Sequence, residues 1–159
     1  MKRESNGFSL IELLIVVAII LIIAAIAIPN LLKSRIAANQ ASAVGSIRTI
    51  NTSEATYSST YTTGYSPTLV SLGPPASGNG DPTGAGLIDS VLAAGAKSGY
   101  SFVYAATASA NGRYDTYTIT ASPSTVGTTG TNYYFTDQSG VIRQNSTQAA
   151  TASDSPIGG

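Results

Sequence analysis

Residues 10–28 read LIELLIVVAIILIIAAIAI, nineteen positions carrying one charged side chain, Glu12. At about 1.5 Å rise per residue this run makes roughly 28 Å of helix, the thickness of a bilayer's hydrocarbon core. It is apolar all round, so it is not the one-sided face of a surface helix. A helix buried in the core of its own domain would need apolar residues around it. The rest of the chain does not supply them. Beyond Pro29 the sequence turns small and polar, and 40 of the 159 residues are Ser or Thr, nearly all of them after that point. The run therefore reads as a helix embedded in a membrane or packed among copies of itself.

The whole-chain composition points the same way. Eight basic residues balance eight acidic ones, and only 10% of the chain is charged, against about 25% in an ordinary soluble protein. A nucleic-acid binder normally carries a clustered basic excess, and none is present. The absence of His and Cys excludes a His-based triad, a thiol nucleophile, Cys/His zinc sites and a disulfide framework. Ser is abundant, but no neighbouring base activates it and no Ser-x-x-Lys occurs. No catalytic residue, cofactor or metal ligand is expected.

Three accounts fit the N-terminus. Lys2 and Arg3 could open a secretory signal peptide cleaved at Ala25-Ile26-Ala27. The run could be a permanent single-span anchor. Alternatively, a short leader could be cut before the run, leaving it on the mature protein. Charge flanking does not choose, because Lys33 and Arg35 on one side match Lys2 and Arg3 on the other. Glu12 does choose. A carboxylate at a membrane helix centre costs roughly 2.5–3.5 kcal/mol, less near an end, and an ionisable group kept there needs a partner. Cleavage after Gly7 would create one, the α-amine of Phe8, four residues away. The pair could form within one chain or between neighbours, and between neighbours it would set an axial register.

Residues 7–13, GFSLIEL, preceded by the basic leader MKRESN, resemble the N-terminal signature of type IV pilins and type II secretion pseudopilins. That resemblance implies cleavage after Gly7 by a prepilin peptidase, N-methylation of Phe8, and a role for Glu12 in docking incoming subunits. It also places the family's helix-bending proline at Pro29, with local unwinding of roughly Ala24–Leu32 in a filament. The continuation IPNLLKSRIAANQASAVGSIRTINTSEATY is similar to the family too. Beyond residue 60 the likeness is one of architecture alone. Many type IV pilins staple the C-terminal region with a disulfide, which a Cys-free chain cannot do.

Pro29 has no backbone donor and should kink the helix. Helical spacing then resumes through Leu32, Ile36, Ala43, Ile47 and Ile50, ending near Ser59–Thr63. Tyr57, Tyr61 and Tyr65 follow at four-residue steps, as docking contacts or as a surface stripe. Residues 73–86 hold eight Gly and Pro in fourteen and read as loop. Leu87, Ile88, Val91 and Leu92 suggest one face of a short helix ending around Gly95–Gly99. Four strands follow, Tyr100–Ala105, Tyr114–Ala121, Asn132–Thr136 and Val141–Gln144, with turns at Asn111-Gly112 and Gln138-Ser139-Gly140. Asp81, Asp89, Asp115, Asp137 and Asp154 are scattered; Asp137 with nearby carbonyls is the one place for calcium, against the plainer reading of a turn-forming Asp. Lys97, Arg113 and Arg143 read as isolated solvated charges. Asn51 and Asn145 head sequons.

The fold expected is α+β, a long N-terminal helix kinked near Pro29 and packed on a head of about four antiparallel strands. Its segments are a leader (1–7), an apolar helix (8–29), an amphipathic continuation (30–63), loop and short helix (64–99), sheet (100–144) and a flexible tail (145–159). The function expected is a structural pilin, inserted in the inner membrane as a precursor. It would be processed by prepilin peptidase and assembled by the pilus or secretion machinery into a homo-oligomeric extracellular filament. Two alternatives stand beside it: a pseudopilin in a short periplasmic filament, and a monomeric binding module on a single-span anchor.

Overall fold

The computed structural model describes residues 8–158. The leader, with its cleavage residue Gly7, lies outside the described residues. The chain divides into two compact units at Arg35/Ile36. The long helix α1 (Leu10–Thr60) starts in the first and ends in the second.

In the first unit α1 is bare. Every described side chain up to Arg35 is exposed except Ala24, which is half-buried. The helix continues unbroken through Pro29. Pro removes one ladder bond and crowds the preceding turn, yet the turns on either side hold, and Ser34 Oγ donates to the Asn30 carbonyl at 3.0 Å. The opening of Ala24–Leu32 expected for a filament is thus not a feature of the single chain.

In the second unit α1 shows a buried stripe, Ala43, Ser46, Ile47, Ile50, Ser53, Glu54 and Tyr57. The steps of three and four residues put them on one helix face. A five-stranded antiparallel sheet in the order β1-β2-β3-β4-β5 completes the unit. Its strands are β1 (Ala96–Lys97), β2 (Tyr100–Ala108), β3 (Tyr114–Pro123), β4 (Tyr133–Asp137) and β5 (Arg143–Asn145). Alternation along the strands sends Tyr100, Phe102, Tyr117, Ile119, Ala121, Tyr134 and Thr136 inward. With the helix stripe, Leu69, Leu72 and Leu92, most of them form one core.

Four points differ from the sequence reading. There are five strands instead of four: the left-handed backbone of Gly95, Ser98 and Gly99 folds Ala96–Lys97 back on Tyr100–Ser101 as a hairpin. The short helix α2 covers only Ser90–Ala93, capped by the Asp89 carboxylate. Leu87 and Ile88 stand outside it because both their N–H groups donate to the Leu72 carbonyl, at 2.8 and 3.0 Å, and Val91 is 55% exposed. The last strand begins at Arg143. The tail is also held: Gln144 N–H donates to the Ser155 carbonyl (3.0 Å) and Ile157 N–H to the Ile142 carbonyl (2.9 Å). Small polar residues gave no apolar signal for this, because main-chain bonds along the edge of β5 do the holding.

Candidate functional site

Fifteen large apolar side chains from Phe8 to Ile28 are exposed, from Leu10 at 79% to Val17 at 45%. Covering a side chain of this kind is worth about 1.5–3 kcal/mol, so the segment leaves on the order of 20–45 kcal/mol unrealised in water. That exceeds the roughly 5–15 kcal/mol stability of a typical domain. The helix is long and apolar enough to cross a membrane. Its natural surroundings are lipid or other apolar helices.

Glu12 sits in the first turn of α1, where its Oε2 accepts from the Ser9 backbone N–H at 2.9 Å. Ser9-x-x-Glu12 spacing explains it: a Glu three positions after the residue that precedes a helix reaches back to that residue's N–H, one half of a capping box. A carboxylate there also meets the positive end of the helix dipole. The Ser-x-x-Glu spacing was visible in the sequence, and it adds a local partner to the expected pairing with a Phe8 amine. That amine exists only once the bond to Gly7 is cut.

The head offers no comparable chemistry. Asp81 accepts from Thr83 N–H and Oγ1 and from Gly84 N–H, and these donors hold its carboxyl below the usual range. Asp89 is lowered by the Lys97 ammonium at 2.7 Å and by the Leu92 N–H. Asp154 is lowered by Thr151 N–H and Asn145. Asp137 forms the β4–β5 turn, accepting from Ser139 N–H at its side chain and from Gly140 N–H at its carbonyl. Among the described residues no three His, Cys, Asp or Glu side chains gather into a metal site. The cations read as isolated do have partners: Lys97 pairs with Asp89, Arg113 with Asp115 at 3.0 Å, and Arg143 donates to the Asp154 carbonyl at 2.8 Å.

Both sequon asparagines are occupied. Asn51 Nδ2 donates to Thr136 Oγ1 at 3.1 Å while its Oδ1 accepts from the Tyr117 hydroxyl at 3.0 Å. Asn145 Nδ2 donates to Asp154 Oδ1 at 2.8 Å, and its Oδ1 takes three donors from Thr147 and Gln148. The Tyr57–Tyr61–Tyr65 series is a docking device: Tyr57 is buried, with its hydroxyl donating to the Pro82 carbonyl at 2.8 Å. Tyr61 packs on it at 4.6 Å, and Tyr65 meets Tyr117 edge-on at 4.8 Å.

Glu54 is the group the sequence reading missed. It is fully buried on α1, and its two oxygens accept from the backbone N–H and the hydroxyl of Ser66. The Tyr104 hydroxyl closes the cluster by donating to the Ser66 carbonyl at 2.7 Å. Burial pushes the Glu54 carboxyl up, against the opposing pull of the Ser66 donors. Burial, then the nearby Glu54 charge, likewise raises the Tyr104 and Tyr117 hydroxyls. One acid among Thr and Ser near a helix end carried no period or spacing that would distinguish it from a solvated charge.

Residues 2–28 match the prokaryotic N-terminal methylation motif. The chain is also 65% identical over 37 residues to the type IV wide pilus major component PilA4 of Thermus thermophilus. Its N-terminal segment is thus similar to that of a type IV pilin. The stretch matched covers 23% of this chain and 28% of the relative. No solved structure matches the chain. The long apolar helix and antiparallel sheet form an α+β, pilin-like fold.

Proposed function

We propose that this chain is cleaved after Gly7, methylated at the new N-terminal Phe8, and polymerised from the inner membrane into an extracellular type IV pilus. The helices Phe8–Pro29 would form the filament core and the sheet heads its surface. The observation that carries this reading is the bare helix of fifteen exposed apolar side chains directly behind Gly7-Phe8. As a precursor, the membrane covers it; in the filament, its copies do. Lipid is about as apolar as a helix bundle, so assembly must draw on close packing and on neutralising Glu12. The free Phe8 amine of one chain beside Glu12 of another meets that need. The PilA4 relative, named as a wide-pilus major component, favours a long surface filament over a short periplasmic one. Electron microscopy of sheared surface material tests it. Long filaments containing this chain support the proposal, and confinement of the protein to the periplasm contradicts it.

A further inference from the structure

The two edges of the sheet are finished differently. The outer edge of β5 is sealed by the chain itself, through the Gln144–Ser155 and Ile157–Ile142 bonds and the Arg143–Pro156 bridge. At the other edge β1 covers only Tyr100 and Ser101 of β2, and Phe102 N–H donates to the Gly95 carbonyl at 2.7 Å. Since alternate residues of a strand point their main-chain groups to opposite sides, Tyr104 and Ala106 face outward as Phe102 does. Among the described residues nothing pairs with their outward N–H and C=O groups. Natural edges of this length usually carry a Lys, a Pro or an inward charge to prevent pairing. Residues 100–109, YSFVYAATAS, carry none of these.

We propose that this edge joins the head to a second copy of the chain, β2 against β2, and so links neighbouring filaments side by side; the inference rests on the filament reading above. The register follows from the free groups. A two-fold axis at Ala105 sets Tyr104 opposite Ala106 of the second copy and Ala106 opposite its Tyr104, making four main-chain bonds. On the outer face Val103 then meets Thr107 and Ala105 meets Ala105, with no charge to repel. Beside this edge lies a groove of about 490 Å³, bounded by the Pro67–Leu69 turn and by Ala93–Gly95. Along it a second copy brings small side chains at Ala105, Ala106 and Thr107, with Tyr104 opposite Ala106 and Val103 opposite Thr107. A bulge after Thr107 ends the regular stretch.

Symmetry identifies which copy is paired. A two-fold contact closes on itself after two subunits, whereas a helical filament propagates by head-to-tail contacts. The β2 pairing therefore cannot extend a filament and must bridge two. Five residues of edge fall far short of the roughly 1,200–2,000 Å² that a stable interface buries. Separate heads would not dimerise, but filaments presenting many copies in series gain by multivalency.

The chain has no Cys, so single cysteines read the register directly. Opposed residues at a non-hydrogen-bonded pair lie about 4.5 Å apart at Cα, within disulfide range. In sheared filaments of the full-length protein, mild oxidation should convert Ala105→Cys subunits to disulfide dimers. Val103→Cys alone should give none, and mixed Val103→Cys and Thr107→Cys filaments should cross-link. Ala105→Lys and Ala105→Glu filaments should each lose bundling in negative stain and regain it when mixed. Ala105→Cys filaments that form no disulfide dimer, or bundles unaffected by Ala105→Lys, overturn the edge pairing while leaving the pilus reading intact. If no filament contains this chain, both fall.

Discussion

Glu54 provides the sharpest test of the head. Its carboxylate is the only acceptor for the Ser66 backbone N–H, at 2.9 Å, among the described residues. Glu54→Ala leaves that buried donor unpaired, at about 1–3 kcal/mol, and empties the space of a carboxyl group and a methylene, worth about another 1–2 kcal/mol. The Ser66 hydroxyl loses less, since it can turn to the Thr68 carbonyl at 3.1 Å. The sum, about 2–5 kcal/mol, corresponds to a fall in Tm of roughly 6–25 °C for a unit of this size. Glu54→Gln retains an oxygen for the N–H and should cost about 1 kcal/mol or less. The pH dependence has a definite sign. With the carboxyl raised by burial, the folded state holds a proton that the unfolded state has released. The stability due to Glu54 is therefore full below its ordinary pKa near 4.5 and is lost as pH rises through the folded value. Asp81, Asp89 and Asp154 act oppositely, losing stability as pH falls, but they are common to both proteins. The wild type minus Glu54→Gln difference isolates Glu54. Near-UV circular dichroism of the detergent-solubilised full-length chain, which has nine Tyr and no Trp, measures it between pH 4 and 8. A wild type that gains on Glu54→Gln as pH rises, or a Glu54→Ala loss below 1 kcal/mol, refutes the reasoning.

Glu12→Ala should be processed normally yet polymerise slowly or not at all. Glu12→Gln, which preserves the bond from Ser9 N–H, separates helix capping from charge: filament yield counted by microscopy should stay low if the charge matters and recover if capping suffices. Intact mass of surface-sheared protein should show no N-glycan at Asn51 or Asn145, because their amide nitrogens are already bonded. Asp154→Ala should speed hydrogen exchange at the Gln144 and Ile157 amides; in the wild type that protection should hold above about pH 4 and fade in more acid solution, because the Asp154 carboxyl is held low.

The sequence disclosed what depends on hydrophobic pattern. The run Leu10–Ile28, the stripe Ala43–Ile47–Ile50 and the alternation of Tyr117, Ile119 and Ala121 all have a period, and each lies where the period puts it. The Asn111-Gly112 turn was equally legible, with Gly112 at φ 78°. What escaped was held by main-chain and side-chain polarity. The tail is fastened by amides at Gln144 and Ile157, β1 by a hairpin of left-handed residues, and the helix expected at Leu87–Leu92 was shortened by two N–H groups donating to Leu72. Of the candidate site, GFSLIEL pointed to Phe8 and Glu12. The capping role of Glu12 was encoded in Ser9-x-x-Glu12, beside the expected pairing with a Phe8 amine within one chain or between neighbours. Glu54 had no such signature, since its importance arises only when Ser66 and Tyr104 close over it.

The central claim is that Phe8, just ahead of α1, is the mature N-terminus of a filament subunit. Mass spectrometry of the N-terminal peptide, from filaments sheared off the cell surface, tests it most directly. The account predicts a chain starting at N-methylated Phe8 with residues 1–7 removed. A chain that starts at Ile28, or one that retains Met1, would contradict it.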